Sequence, residues 1–469
     1  MASSIPTKEE QPQLSANLRL LDWLGYCDLD MLSSPAIASN GAASEKNVRW
    51  DLRILDVIAV CLTTGNAGNV VAAAFYKEQK ISLVLAKSSN VEDADNDRVA
   101  AFLSTIRNAN NWLDILPFLA KYSRKNVKKR IEKLHKSISA LDLELEVVEY
   151  EFKSVTAEFP RSQHYLSLSY PDKATPEFIL SDLVNYCKTM STIKFQNDQL
   201  SFKNFVRLTS VANVLRNCAF LNYLTTDTKV GPERRFEAAR LKRRLTKVYQ
   251  YTRIDQVIGF CKRYPGDIPV YWIKDQYPGT GEGLYDMPDG PMDVVKHALD
   301  EPAAQVLTAS ISQLVPAKKW GQLSFNPRLH TELRIILHLA RTLPRSPTLR
   351  KTMLPIGCSK RSCLCCTLWM KSFNQNSSFQ WMTGGSHGKP YENWALPGDA
   401  GRMGIRPDPD ETVIAGIHHR LVQELDTLMP EQLPRKSDEL ASTGSDNYRY
   451  PKTWESTKYY DELDRRHWG

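Results

Sequence analysis

The pattern His330-Thr331-Glu332, followed 33 positions later by Cys363-Leu364-Cys365-Cys366, constrains this chain more than any other stretch of it. Each half opens a helical pattern. Leu333, Ile336, Leu337 and Ala340 line one face after His330, and Cys363 to Phe373 reads as a second amphipathic helix. Cys363 and Cys366 are one turn apart on the same face. They lie in a first turn, where unpaired backbone N–H groups and the helix dipole favour thiolate over thiol. A fold that brings the two helix starts to one point assembles His330, Cys363 and Cys366 as metal ligands. Three protein ligands leave a fourth tetrahedral position for water, which is the composition of a catalytic zinc site. Glu332 stays free to move protons for that water. Two alternatives stand beside this reading. Cys358 would close a structural site as fourth ligand, and Glu332 would be an ordinary helix-start carboxylate. Cys365 reads as a core residue pointing away from its neighbours, and His338 as a packed histidine.

The surrounding order sets the fold class. A short strand, Met353 to Gly357, lies between the two helices, and another, Phe379 to Thr383, follows them. Helix–strand–helix–strand is the alternation of an α/β layer fold. Far upstream, two apolar runs, Val70 to Tyr76 and Ile81 to Ala86, flank the polar turn Lys77-Glu78-Gln79-Lys80, which is a hairpin signal. Both runs are apolar on both faces, as in a sheet covered by helices. Leu52 to Leu62 and Asp95 to Ile106 read as helices. From about 123 to 262 the pattern is helical, with Val127 to Val155, Ser201 to Leu224 and Pro232 to Cys261 as long stretches. A strand, Ile268 to Ile273, and a Pro/Gly-rich passage follow. Within that passage Gly279-Thr280-Gly281-Glu282-Gly283 lacks the Lys-Ser/Thr ending of a phosphate loop and reads as a flexible loop. Glu411 to Met429 is a further helix.

These patterns divide the chain into an N-terminal arm with a short docking helix (1–45), a first sheet-forming part (46–122), a mostly helical insertion (123–320), a metal-binding core (321–405), a C-terminal helix (406–430) and a flexible tail (431–469). Composition bounds the setting. The 469 residues suffice for more than one core, and no apolar run reaches the ~18 residues of a membrane span. Of nine cysteines, four crowd into 358–366, which in a reducing compartment points to metal rather than disulfides. The expected location is therefore intracellular, cytoplasmic or nuclear, with no membrane partner. A net charge of +8 permits a polyanionic partner without demanding one. Two basic stretches, Arg124 to Lys136 and Arg234 to Lys247, either track phosphates or are solvated helix faces; Phe236, Tyr249 and Tyr251 lie near the second.

Leu329 to Pro397 resembles the nucleic acid/nucleotide deaminase superfamily of the cytidine deaminase-like fold. The His-x-Glu and Cys-x-x-Cys halves carry the resemblance, although Ser362 stands where the superfamily has proline before the first cysteine. More narrowly, Ile356-Gly357-Cys358-Ser359-Lys360-Arg361-Ser362-Cys363, Gly385-Ser386-His387-Gly388-Lys389 and Trp394 are similar to a branch of large fungal deaminase-like proteins. The resemblance implies Zn2+ on His330, Cys363 and Cys366, with Glu332 as proton shuttle. It implies hydrolytic deamination by zinc-bound hydroxide of a nucleobase-containing substrate, either a nucleotide or a single-stranded nucleic acid. Asn90, Asn326 and His387 are the candidate substrate contacts. It also implies a hairpin ahead of the first helix. The best hairpin here, Val70 to Ala86, is far upstream, so the expected fold is a deaminase-like mixed sheet with flanking helices, split in sequence by the helical insertion. The stretch Trp320 to Phe325 is the next candidate for the opening strands. The contrasting possibility is a catalytically silent scaffold with structural zinc that binds protein or nucleic acid through its insertion.

Overall fold

The computed structural model describes residues 10–28, 31, 43–77, 80–141, 150–170, 174–264, 266–274, 279–287, 290–316, 320, 324–343, 352–398, 400 and 403–429. The chain divides into two compact units. The first comprises residues 1–60, 70–91 and 267–446, and the second 61–69, 92–266 and 447–469. The division falls at 92 and 266, not at 123 and 320. Residues 267–320 join the first unit because their apolar side chains, among them Ile273, Val294, Leu307 and Ile311, enter its core. The tail expected over 431–469 lies outside the described residues.

The first unit is built on a five-stranded mixed sheet. The expected hairpin forms as β1 (Val71–Lys77) and β2 (Ile81–Lys87), antiparallel, with Ala74 opposite Val84. Parallel to β2 runs β3 (Val270–Trp272), the product of the Ile268 to Ile273 signal. On the other side β1 pairs antiparallel with β6 (Thr352–Cys358), in the register Ala72–Cys358, Ala73–Gly357 and Ala74–Ile356. Next comes β7 (Phe379–Thr383), parallel to β6. The hairpin thus joins the Met353–Gly357 strand in one sheet, as the split-domain expectation requires. The stretch before His330 does not supply the opening strands. Instead β5 (Ser324–Phe325) forms a separate two-residue ladder with β4 (Tyr285–Asp286).

Among the described residues, the helices of this unit are α1 (Glu10–Trp23), α2 (Ala43–Leu62), α3 (Pro291–Ala298), α4 (Glu301–Leu314), α5 (Thr331–Thr342), α6 (Leu364–Gln375) and α7 (Pro409–Asp426). Both faces of the sheet are covered, which explains strands apolar on both sides. On one face Ala72, Ala74, Val84, Ala86 and Ile356 pack into a single core with Leu333, Ile336 and Leu337 of α5 and Trp369 and Phe373 of α6. On the other, Gly357 lets the backbone of α2 approach, since a Cβ there would sit 2.0 Å from the Leu55 carbonyl carbon.

The docking helix expected within the N-terminal arm forms as α1, which begins earlier than the Leu18–Leu24 signal, at Glu10. Gln11, Ser15, Asn17 and Arg19 are buried along with its leucines. Arg19 pairs with Glu392 at 3.4 Å and lies over the Trp320 ring.

The second unit is helical. The expected helix from Val127 to Val155 is shorter: it spans Arg124–Ala140, and the chain is helical again only at Val155–Glu158 among the described residues. The stretch from Ser201 to Leu224 is two helices, Gln199–Asn217 and Ala219–Thr226, broken at Cys218. The long Pro232 to Cys261 stretch is likewise interrupted, by a short 3₁₀ turn at Gln250–Arg253. No helix among the described residues is long and apolar enough to cross a membrane.

Candidate metal centre

His330 and Cys363 are the N-cap residues of α5 and α6. Both have extended backbone, and each starts the helix that the apolar spacing predicts. The Cys363 sulfur accepts the Cys366 N–H at 3.4 Å, so this thiol takes the place of a capping hydroxyl. That arrangement brings the two sulfurs of the C-x-x-C to one side of the helix start, facing the imidazole of His330.

The Nδ1 atom of His330 lies 3.5 Å from the Cys363 sulfur and 3.2 Å from that of Cys366. All three ligand atoms lie within 4.8 Å of one another. In a tetrahedral site with Zn–S of about 2.3 Å and Zn–N of about 2.0–2.1 Å, sulfur and nitrogen ligands are about 3.6 Å apart. The donor set and its spacing therefore fit a zinc ion. Among the described residues this group has three members. Neither Glu332, nor Cys358, nor Cys365 belongs to it.

The charges are arranged to suit a cation. Burial opposes a charge on Cys363, but hydrogen bonds from Cys365 and Cys366, together with His330, outweigh it and hold this thiol well below its ordinary value. Burial would lower the His330 pKa, yet the Cys363 sulfur and Glu332 raise it overall. The Cys358 thiol is pushed well above its usual range, first by burial and then by Glu332 and Asp56. It remains a neutral thiol at the end of β6, where its backbone N–H donates to Asp56 Oδ1 at 2.9 Å. Cys365 is buried, but it does not point away, since its thiol interacts with that of Cys363. His338 is packed, stacked on Tyr271 with ring centroids 5.1 Å apart.

Surrounding groups fix the ligands. The indole N–H of fully buried Trp394 donates to the Cys366 sulfur at 3.2 Å. Gln11 of α1 holds the Trp394 segment in turn: its Nε2 donates to the Trp394 carbonyl at 2.9 Å, and its Oε1 accepts the Leu396 N–H at 2.8 Å. The Gly-rich stretch is not a free loop. Gly281 N–H donates to the Leu396 carbonyl at 3.0 Å. Glu282 accepts the Leu329 N–H at 2.8 Å and pairs with Arg334 at 3.0 Å, which fixes the chain entering α5. Ser362 uses the freedom that the missing proline gives, because its N–H donates to the Gly385 carbonyl at 3.2 Å.

The candidate contacts separate. Glu332 is buried in the first turn of α5, with Thr331 Oγ1 3.3 Å from its Oε2. His387 is stitched to the centre: its N–H donates to the Ser362 carbonyl at 3.0 Å, and its ring is edge-on to Tyr391 at 5.3 Å. Tyr391, exposed, lies 6.3 Å from the His330 ring. Sequence reasoning missed it, and only its place after the Gly385–Lys389 motif signals it. Asn90 is an exposed loop residue after β2 whose carbonyl accepts from Lys87 at 3.2 Å. Asn326 is exposed beside β5; with its amide turned, it bridges Gly283 and Arg328.

In the second unit, several cations of the two basic stretches serve packing. Arg130 is buried over Tyr251 and donates to the Lys247 carbonyl at 2.6 Å, while Arg240 pairs with Glu237.

Residues 329–398 match the family model of the OTT_1508-like deaminases. The match spans both halves of the metal group and the segment through Trp394. No curated protein and no solved structure matches the chain.

Proposed function

We propose that the chain is a zinc-dependent hydrolytic deaminase acting on a nucleobase in a nucleotide or a nucleic acid. The observation that carries this reading is the three-member group His330, Cys363 and Cys366, with a buried carboxylate, Glu332, two residues along in the first turn of the helix that His330 caps. The deaminase family match over 329–398 supports it. When bound there, zinc supplies the Lewis acidity that makes water a nucleophile near neutral pH. In the reaction, water adds to the amidine carbon, the bond to the exocyclic nitrogen breaks, a carbonyl forms and ammonia leaves. Glu332 takes the proton of the attacking water and delivers it to the ring nitrogen and then to the departing amine. What supports that role is that Glu332 stands on the helix that His330 starts and is not itself a member of the ligand group. His387 and Tyr391, whose rings meet edge-on at 5.3 Å with Tyr391 6.3 Å from the His330 ring, are the proposed contacts to the substrate ring, and Asn90 and Asn326 are further candidates. The protein works inside the cell, where its thiols stay reduced.

The test combines elemental analysis with ammonia release from nucleosides, free bases, single-stranded DNA and RNA. One zinc per chain is expected, and the Cys363→Ser/Cys366→Ser double variant should lose it. Glu332→Ala should keep the metal and lose about 10²–10⁴-fold in rate. Near-full activity in that variant, or a wild-type protein without zinc, would refute the proposal and leave the scaffold reading.

A further inference from the structure

The chain entering the metal centre alternates strictly between buried and exposed residues. Phe325, Pro327 and Leu329 are buried, Ser324, Asn326 and Arg328 are exposed, and His330 is half-buried. A period of two marks an extended segment, in which every second side chain lies on the same side. Asn326, Arg328 and His330 therefore share one side, about 6–7 Å between successive members. The backbone of Arg328 is pinned. Its N–H donates to the Asn393 carbonyl at 2.9 Å, and its carbonyl accepts the Ala395 N–H at 3.2 Å. Between those two residues stands Trp394, the indole that bonds to the Cys366 sulfur at 3.2 Å. Arg328 is thus anchored to the same strip of chain that supports the metal ligands.

Its side chain is held more loosely. It is 53 % exposed, and Glu282 Oε2 lies 4.0 Å from it. The charge of Glu282 is already matched, because its Oε1 pairs with buried Arg334 at 3.0 Å and accepts the Leu329 N–H at 2.8 Å. One carboxylate thus stands between two guanidinium groups, and the exposed one keeps positive charge in excess. With its amide turned, Asn326 accepts from Arg328 Nη2 at 3.2 Å and donates to the Gly283 carbonyl at 3.1 Å, which ties the guanidinium to a neighbour on the His330 side of the segment. A guanidinium offers a planar fork that matches two phosphate oxygens. We propose that Arg328 is the phosphate seat of the substrate and sets its specificity: the base presented to the metal centre belongs to a phosphate-bearing unit, not to a free base or nucleoside. That chemistry is shared by a free nucleotide and by one unit of a single strand. The inference rests on the deamination reading.

The test measures ammonia release by the full chain from cytidine and adenosine, from their 5′-monophosphates, and from short single strands of each base. In the wild type, kcat/KM should be at least about tenfold higher for a phosphorylated form than for its nucleoside, and Arg328→Ala should cut that ratio at least about tenfold. A preference for the monophosphate identifies a free-nucleotide enzyme, and a preference for the strand alone identifies a strand enzyme. A residue that only supported the fold would lower both rates and leave the ratio as it was. Arg328→Lys, which keeps the charge without the fork, should restore part of the preference. A second readout needs no turnover. The deaminated counterpart of the preferred form, carrying uracil or hypoxanthine, has no exocyclic amine to lose, and its calorimetric affinity should fall at least about tenfold in Arg328→Ala. Equal kcat/KM for nucleosides and phosphorylated forms, or a ratio that Arg328→Ala leaves unchanged, would overturn the inference while deamination stood. Ammonia from none of these substrates would refute the deamination reading and take the inference with it.

Discussion

Replacing Gln11 with alanine tests whether α1 is part of the metal-centre scaffold. The Gln11 side chain is fully buried. It satisfies the Trp394 carbonyl and the Leu396 N–H, and both residues are also fully buried. Gly281 packs against the same amide, since a Cβ on it would meet Gln11 Oε1 at 1.9 Å. Alanine leaves the two backbone groups without these partners. An orphaned buried polar group costs about 1–3 kcal/mol, so the variant should lose roughly 2–6 kcal/mol, with water entering the gap giving the lower end. That is a large fraction of a typical stability of about 5–15 kcal/mol. Urea unfolding followed by tryptophan fluorescence reports the first unit, which holds the fully buried Trp320, Trp369 and Trp394. Gln13→Ala is the control, because Gln13 is half-buried and bonds only locally, to Asn17 at 2.9 Å. It should change stability by less than about 0.5 kcal/mol. Equal midpoints for the two variants would refute the clamp, as would a Gln11→Ala loss below about 0.5 kcal/mol.

Three further outcomes follow from the same geometry. Trp394→Phe removes the N–H donor to Cys366 and should weaken zinc about 10–100-fold in a chelator competition; unchanged affinity would mean that this hydrogen bond does not tune the ligand. Cys358→Ala should leave metal stoichiometry intact, and zinc loss in this variant would favour a closed structural site. Gly357→Ala forces β6 away from α2 and should cost at least about 1–3 kcal/mol; a wild-type urea midpoint would show that the contact yields easily.

The metal group was legible because ligand chemistry admits few residue types at few spacings, and both halves also began helices. The hairpin and β7 were legible because short apolar runs stood between polar turns. The start of α1 at Glu10 was missed because the helix is buried nearly all round, polar residues included, so its sequence offers little contrast between faces. The break at Cys218 was missed because a thiol caps the next helix there, accepting the Leu221 N–H at 3.3 Å, and cysteine is not among the usual cap residues. Tyr391 and Glu282 come close to α5 only through tertiary folding, which no local pattern reports. The Gly-rich stretch read as flexible for the same reason, since its partners, Leu396 and Leu329, are remote in sequence.

The pairing of β1 with β6 has a consequence for biosynthesis. Val71 bonds to Ser359, 288 residues later. At about 5–20 residues per second, a ribosome needs roughly 15–60 s to make the intervening chain. Throughout that interval one edge of the hairpin waits without its partner strand, while the 92–266 stretch of the helical second unit is made in full. The waiting edge consists of Ala72, Ala73 and Ala74, which present little apolar bulk to a passing chain. Nascent chains paused before residue 352 should therefore carry a folded helical unit and an unfinished sheet, and chaperones that guard exposed strand edges would be their natural company.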